Sequence, residues 1–239
     1  MSQDKPTQTS SVTTTHNTQP TGLRKNQTLS IGGGLHARLR NPQNVAGADP
    51  LTRPDRIALM VDVSGSMAGA KIQSLRDAVT GFVSACDAAT TALALEPFGD
   101  DFPSAQRIPL TCVLPLILTS AQLLNADGST PMARAMDYVL NTYSITRGVI
   151  VSDGQPDSEA ACYTTAQLWK EASLPCDCVH IGASASGEAC LQRIAEITGG
   201  QYIKFTDVTS FSKAFKYLTP AFYAQLTAGE FDDEVRRLK

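Results

Sequence analysis

The chain has 239 residues, of which 42% are hydrophobic and 18% charged, so it can form the core of one large or two small domains. Its net charge of −3 gives no electrostatic basis for binding nucleic acid. No run of about 18 apolar residues could span a membrane, and the N-terminal segment lacks the apolar core of a signal peptide. We therefore predict a cytoplasmic protein that binds neither nucleic acid nor membrane.

The chain contains six cysteines, and an even number first suggests disulfide bonds. A chain that can form an apolar core of this size does not need disulfides for stability. Several of the cysteines fall in predicted helices or strands, where a free thiol behaves as a small buried hydrophobe. Cys176 and Cys178 stand two residues apart, but without a second pair or a nearby His they make a poor zinc motif. We predict structural thiols.

The N-terminal region differs in composition from the rest of the chain. Residues 1–22 are dominated by Thr, Ser and Gln, and with almost no large apolar side chains they cannot offset the entropy of ordering. We predict a disordered arm, with an arm that becomes ordered on a partner as the alternative. Residues 23–53 contain spaced apolar side chains and are predicted to form an extension with short strands.

Strand and helix patterns alternate from residue 54 to residue 228 and predict one domain, followed by a charged tail at 229–239. Strands or extended pieces are predicted at 57–61, 92–98, 107–110, 112–118, 148–151, 176–181 and 201–205. Helices are predicted at 71–86, 120–124, 131–141, 158–173, 187–198 and 207–226. Such alternation implies a doubly wound α/β fold, with a mainly parallel central sheet flanked by helices.

The first predicted strand ends in a turn that carries one carboxylate and two hydroxyls on alternate residues, namely Asp62, Ser64 and Ser66. The turn lies at the carboxyl end of a strand buried on both faces, where open α/β sheets place their ligand crevices. A simpler interpretation is a strand-to-helix turn in which a Ser caps the helix and Asp62 only solvates the strand end. The turn alone does not decide between the two.

Two further segments favour a binding site. Thr130 precedes Pro131 at the start of a predicted helix, and Asp153 follows an apolar run that ends in Ser152. Two strand ends and one helix start can therefore present oxygen atoms to one crevice. Carboxylate and hydroxyl oxygens are hard ligands, suited to Mg²⁺ or Mn²⁺ and poor for zinc or copper.

The segments 62–67, 128–131 and 152–154 together resemble the metal-ion-dependent adhesion site (MIDAS) of von Willebrand factor A (VWA) domains. The resemblance extends over roughly residues 54 to 225 and implies a Rossmann-like VWA fold with an extended N-terminal arm, of the intracellular type of bacteria and phages. It implies a Mg²⁺ or Mn²⁺ ion held by five residues, which are Asp62, Ser64, Ser66, Thr130 and Asp153. In the family's pattern, Ser64, Ser66 and either Thr130 or Asp153 would touch the ion directly.

Neutral hydroxyls next to the ion would leave it electron-poor, so that a Glu or Asp of a partner protein could complete its shell. The sequence therefore predicts a metal-dependent protein–protein interaction module and not an enzyme. The resemblance also suggests a MoxR-type AAA+ ATPase or an assembly neighbour as the partner.

Two alternatives stay open at this point. The domain could be a structural or assembly subunit of a larger complex or virion particle, with the N-terminal arm threading a neighbour. It could instead be a Mg²⁺-dependent phosphotransferase or hydrolase, although haloacid-dehalogenase-like enzymes need a second Asp where Ser64 stands. Serine catalysis needs a base, and His180 falls within a predicted strand, where a core imidazole is expected.

Overall fold

The computed structural model describes residues 49–102, 104–205, 211 and 215–219 of the chain. The predicted arm at 1–22, nearly all of the extension at 23–53, and the tail at 229–239 lie outside these residues, as does most of the helix predicted at 207–226. The domain boundaries at 54 and 228 therefore stay predictions.

Strands and helices alternate along the described part of the chain. The strands are β1 (Asp55–Asp62), β2 (Thr91–Phe98), β3 (Ile108–Thr111), β4 (Arg147–Ser152), β5 (Cys176–Ile181) and β6 (Tyr202–Phe205). The helices are α1 (Ala70–Ser84), α2 (Leu114–Gln122), α3 (Met132–Thr142), α4 (Glu159–Glu171) and α5 (Ala185–Thr198). Short 3-10 turns lie at Pro50–Thr52, Gly65–Met67 and Phe215–Leu218. Within the described ranges, no helix is both long and apolar enough to cross a membrane.

The strands form a single sheet in the order β3-β2-β1-β4-β5-β6. Every neighbouring pair is parallel except β2 and β3, which are antiparallel. Helices cover both faces, which confirms the predicted doubly wound, Rossmann-like fold. The chain runs outward from β1 to β3 and then returns to β4 on the other side of β1, so the strand order reverses between β1 and β4. Open α/β sheets bind their ligands at such a switch point, at the carboxyl ends of the strands.

One predicted element is wrong. The pattern at 112–118 predicts an extended piece, but the chain forms α2 there, and the helix predicted at 120–124 is the end of the same element. Pro115 lies in the first turn of α2, where no hydrogen-bond donor is needed. Ile117 and Ala121, four residues apart, face the core. A short apolar run does not distinguish a buried strand from a buried helix, which explains the error.

The sheet separates two apolar cores. On one face, Leu59 and Val61 of β1 pack with Leu75 of α1 and with residues of α2. On the other face, Met60 packs with α3, α4 and α5, including Trp169 of α4. Because successive side chains of a strand point to opposite faces, a strand buried on both sides has an unbroken apolar sequence.

The described residues beyond β6 pack against α1 and the end of β6. The ring of Phe215 lies 5.2 Å from that of Phe82 of α1, and the ring of Phe211 lies 5.3 Å from that of Phe215. Phe211 also contacts Phe205 at the end of β6, with ring centroids 5.8 Å apart. These aromatic contacts extend the first core, so the described residues beyond β6 belong to the same domain.

Glu96 is a carboxyl buried within β2, in an otherwise apolar stretch. The Tyr143 hydroxyl donates a hydrogen bond to Oε1 of Glu96, while Oε2 has no hydrogen-bond partner among the residues that the structure describes. Burial raises the pKa of Glu96, and the hydrogen bond from Tyr143 and the charge of Arg107 offset only part of this effect. The folded protein therefore disfavours the ionised form.

Replacing Glu96 with Gln is expected to stabilise the protein increasingly as the pH rises. Because folding raises the pKa of Glu96, the stability contributed by this group is complete below its unfolded value of 4.5 and is lost as the pH rises through its folded value. Gln does not titrate, so the free energy of unfolding of the variant relative to wild type should rise as the pH increases above 4.5. Urea unfolding across this range measures the difference.

Glu171→Gln provides the control for this experiment, because Glu171 is an exposed residue of the same type at the end of α4. The free energy of unfolding of Glu171→Gln relative to wild type should be constant over the same pH range. A constant difference for Glu96→Gln as well would contradict the burial argument.

Candidate metal centre

The turn after β1 is built around the carboxylate of Asp62, which is fully buried. Its Oδ1 accepts a hydrogen bond from the backbone N–H of Ser64 at 2.8 Å, and this contact closes the turn. Its Oδ2 accepts a hydrogen bond from the hydroxyl of Ser152, the last residue of β4. Asp62 therefore fixes the turn and joins the carboxyl ends of β1 and β4.

Four of the five predicted site residues lie in one hydrogen-bonded group. The Ser64 Oγ lies 3.1 Å from the Ser66 Oγ, and the Ser66 hydroxyl donates to Asp153 Oδ1 at 2.7 Å. Asp62 joins this group through the backbone of Ser64. The two strand ends therefore bring their oxygen atoms together, as the parallel topology predicts. We call these four residues, with Thr130, the oxygen cluster.

Thr130, the fifth residue, is placed by its backbone beside the same turn. The loop before it contacts the turn through a hydrogen bond of 3.0 Å from the Gly65 N–H to the Gly128 carbonyl. The Thr130 N–H donates to Asp157 Oδ1 at 2.8 Å, and the Asp157 N–H donates to the Thr130 carbonyl at 3.1 Å. The loop that follows β4 therefore fixes the position of Thr130, which is itself 8% exposed.

Asp100 is a residue of this region that the sequence interpretation missed. Its Oδ1 accepts hydrogen bonds from the Ser129 N–H at 2.7 Å and from the Ser129 hydroxyl at 2.5 Å, and these bonds lower the pKa of Asp100. Gly128 has a φ of 75°, and a Cβ there would lie 2.0 Å from the Asp100 carboxyl carbon. The hydroxyl of Ser129 therefore helps to hold the loop to the segment that follows β2. Asp100 gave a weak signal, since it is one of several carboxylates after a strand.

The oxygen cluster contains two buried carboxylates, those of Asp62 and Asp153. Burial raises the pKa of Asp62 to about 6, although hydrogen bonds from Ser152 and Ser64 lower it, and the nearby charge of Asp153 raises it further. Two carboxylates therefore converge in a site with little solvent. A cation beside both would favour their ionised forms.

Lys71 lies beside the oxygen cluster. It is in the first turn of α1, and its ammonium group forms an ion pair with Asp153 Oδ2. The same ammonium group donates to the backbone carbonyl of Ser66 at 3.2 Å. Lys71 thus contacts two residues of the predicted metal site.

The other predicted features of the chain agree with structural roles. All six cysteines are free, and five of them are buried. His180 is buried in β5, with Nδ1 3.3 Å from the Tyr202 hydroxyl. In the described part of the chain, no three His, Cys, Asp or Glu side chains are grouped so as to hold a metal ion. The oxygen cluster is not such a group, because three of its five members are hydroxyls.

Together, the reversal of strand order and the oxygen cluster define a doubly wound α/β domain with a group of polar side chains at the carboxyl ends of β1 and β4. The von Willebrand factor type A domain family matches the chain from residue 55 to residue 203. Because this match spans more than half of the 239 residues, the chain belongs to the VWA family. Domains of this family generally act as protein-interaction modules. No curated protein matches the sequence.

Solved structures share the fold at low sequence identity. The vWF domain of the type V pili tip protein Mfa5 from Porphyromonas gingivalis is 12% identical, with a TM-score of 0.58, and the match covers 75% of this chain and 98% of that one. The SpRpn10 VWA domain is 15% identical, with a TM-score of 0.53 and coverage of 65% and 94%. Proximal thread matrix protein 1 from the mussel byssus, solved with a zinc-occupied MIDAS motif, is 14% identical, with a TM-score of 0.53 and coverage of 69% and 44%.

Proposed function

We propose that this chain is an interaction module that holds a divalent metal ion through the oxygen cluster and uses the ion to bind an acidic side chain of a partner protein. The observation that carries the proposal is the contact between two strand ends. Hydrogen bonds between side-chain oxygens connect Ser64, Ser66 and Asp153 at the point where the strand order reverses.

The chemistry of the oxygen cluster suits Mg²⁺ or Mn²⁺. Two carboxylates would balance the charge of one divalent ion, and the hydroxyls of Ser64, Ser66 and Thr130 add neutral oxygens, which are the ligands that Mg²⁺ prefers. An ion held largely by neutral hydroxyls would retain affinity for a carboxylate from outside. The zinc-occupied MIDAS motif of the mussel byssus protein supports a divalent ion at a site of this kind. Zinc is therefore tested beside Mg²⁺ and Mn²⁺.

The side chains around the cluster favour binding over catalysis. Ser64 stands where a haloacid-dehalogenase-like phosphotransferase would need a second carboxylate. His180, the histidine in the described part of the chain, is buried in β5 and paired with Tyr202. We propose a non-enzymatic role in the cytoplasm, with a MoxR-type AAA+ ATPase or an assembly neighbour as the partner.

The proposal is tested with Mn²⁺ and two short peptides that differ by one residue, Glu or Gln. The relaxation rate of water protons rises when Mn²⁺ binds to a protein and falls when a ligand displaces water from the bound ion. The wild-type protein is expected to bind Mn²⁺, to lose it to EDTA, and to show a lower relaxation rate with the Glu peptide only. Mg²⁺ and Zn²⁺ are compared by competition with Mn²⁺.

Ser66→Ala is expected to weaken Mn²⁺ binding by about tenfold or more, because it removes one oxygen of the cluster. Thr164→Ala removes an exposed hydroxyl from α4 and should leave binding unchanged. If none of the three ions binds the wild-type protein, the metal-dependent mechanism is wrong. Binding of Mn²⁺ with equal effects of the Glu and Gln peptides would overturn only the capture of an acidic side chain.

A further inference from the structure

The ion pair of Lys71 differs from an ordinary surface ion pair because its carboxylate partner is buried. Its side chain is 36% exposed, but the side chain of its partner, Asp153, is only 1% exposed. The two oxygens of Asp153 are divided between different partners, since Oδ1 accepts from the Ser66 hydroxyl and Oδ2 is paired with the Lys71 ammonium group. An exposed ion pair contributes little to stability, whereas a buried carboxylate that lacks a cation is costly.

The Lys71 ammonium group and a divalent ion would both use the carboxylate of Asp153. Lys71 is paired with this predicted metal ligand, and it also donates to the backbone carbonyl of Ser66, whose hydroxyl is another predicted ligand. Two cations a few ångströms apart repel each other strongly in a site with little solvent. Simultaneous full contact of both cations with Asp153 is therefore unfavourable.

We infer that Lys71 is an internal cation that competes with the divalent ion for Asp153. The inference rests on the proposed metal site and adds a residue that sets its affinity. With its ammonium group on Asp153, Lys71 neutralises the buried carboxylate and keeps the turn after β1 in place. Metal binding then requires the ammonium group to leave Asp153, and the long, partly exposed side chain of Lys71 has solvent to move into.

The competition lowers the apparent affinity for metal without removing any ligand. The Lys71–Asp153 contact must be broken each time an ion binds. Half-saturation of the site would therefore require a higher metal concentration than the oxygen ligands alone would require. The thermodynamic coupling is reciprocal. Metal binding should weaken the Lys71–Asp153 ion pair by a certain factor, and removal of the ammonium group should raise the metal affinity by the same factor.

Lys71→Met tests the inference, because Met retains much of the apolar stem without the charge. Calorimetric titration with Mn²⁺ or Mg²⁺ is expected to give a Kd about tenfold lower for Lys71→Met than for wild type, within the usual range of coupling between two sites. The variant should also unfold at a lower temperature than wild type in EDTA, and this difference should shrink at saturating metal. Lys170→Met, at an exposed position on α4, is the matched control and should change neither quantity.

A second measurement uses the wild-type protein and does not depend on the folding of a variant. Acetylation of lysines by a brief pulse of acetic anhydride, read by mass spectrometry, should increase severalfold at Lys71 when Mg²⁺ is present. Lys170 is the internal reference. The reagent reacts with free amines, and an ammonium group paired with a buried carboxylate is protected.

The outcomes separate this inference from the proposed function. An equal or higher Kd for Lys71→Met, or unchanged acetylation of Lys71 on metal binding, would overturn the competition while the metal site stands. Failure of both wild type and Lys71→Met to bind any divalent ion would overturn the metal site and the inference with it. Metal binding by Lys71→Met but not by wild type would support the competition and would overturn the proposed function of the wild-type protein.

Discussion

Replacing Asp153 with Ala is expected to weaken Mg²⁺ or Mn²⁺ binding by about 100-fold or more. Loss of a residue that only supports a ligand typically costs 10- to 100-fold in metal affinity, and loss of a charged ligand costs at least as much. Asp153 would supply one of the two negative charges of the oxygen cluster, and it accepts a hydrogen bond from Ser66 in the turn after β1. Calorimetric titration of the purified domain measures the change.

Asp101→Ala is the matched control for this variant. Asp101 is an exposed carboxylate beside Asp100, and its removal changes the net charge by the same amount. If metal were attracted only by the general negative charge of this end of the sheet, the two variants would lose similar affinity. Affinity within about threefold of wild type for Asp153→Ala would show that Asp153 is not a ligand and that the proposed five-residue set is incorrect.

The core of the site could be predicted from the sequence because its signals are local. Asp62, Ser64 and Ser66 lie within five consecutive residues at the end of an apolar run, and Asp153 ends a second such run. Parallel strands place their carboxyl ends at one edge of the sheet, so topology alone brings these residues near one another. The structure adds the direct contacts among them. Their role as metal ligands stays a prediction.

The remaining parts of the site could not be predicted because they depend on contacts between distant parts of the chain. Lys71 and Asp153 are 82 positions apart, and Asp100 and Ser129 are 29 positions apart. A lysine one helical turn after a metal-binding turn, or an aspartate after a strand, is too common to indicate a partner. Helix α2 was predicted wrongly for another reason, since a short apolar segment fits either a strand or a helix.

Replacing Trp169 with Ala is expected to lower the free energy of unfolding by about 3–5 kcal/mol, the largest effect on stability that we predict. Trp169 of α4 is fully buried in the second core, and its indole Nε1 donates a hydrogen bond of 3.1 Å to the carbonyl of Met136 in α3. The variant would leave a large apolar cavity between two helices and the sheet, and it would lose the hydrogen bond to the Met136 carbonyl. Urea unfolding in EDTA measures the loss without a contribution from metal binding.

Leu168→Ala is the control for Trp169→Ala, because the neighbouring side chain on the same helix is 43% exposed and should contribute much less. Similar losses for the two variants would mean that the helix itself, and not the buried indole, is responsible. Trp169→Phe retains one aromatic ring but loses the indole N–H and part of the volume, so its loss of stability should be smaller than that of Trp169→Ala.

Gly148 of β4 supplies a sharper test of the same contact. A Cβ at Gly148 would lie 2.4 Å from Cζ3 and 2.5 Å from Cη2 of Trp169, so Gly148→Ala is expected to cost about 1–3 kcal/mol in wild type through overpacking. In the Trp169→Ala background the added methyl group enters the cavity, and the cost of Gly148→Ala should largely disappear. The double variant should therefore be more stable than the sum of the single losses predicts, by about 1 kcal/mol or more. Additive losses would show that the indole does not limit the space next to Gly148, and that other side chains fill this part of the second core.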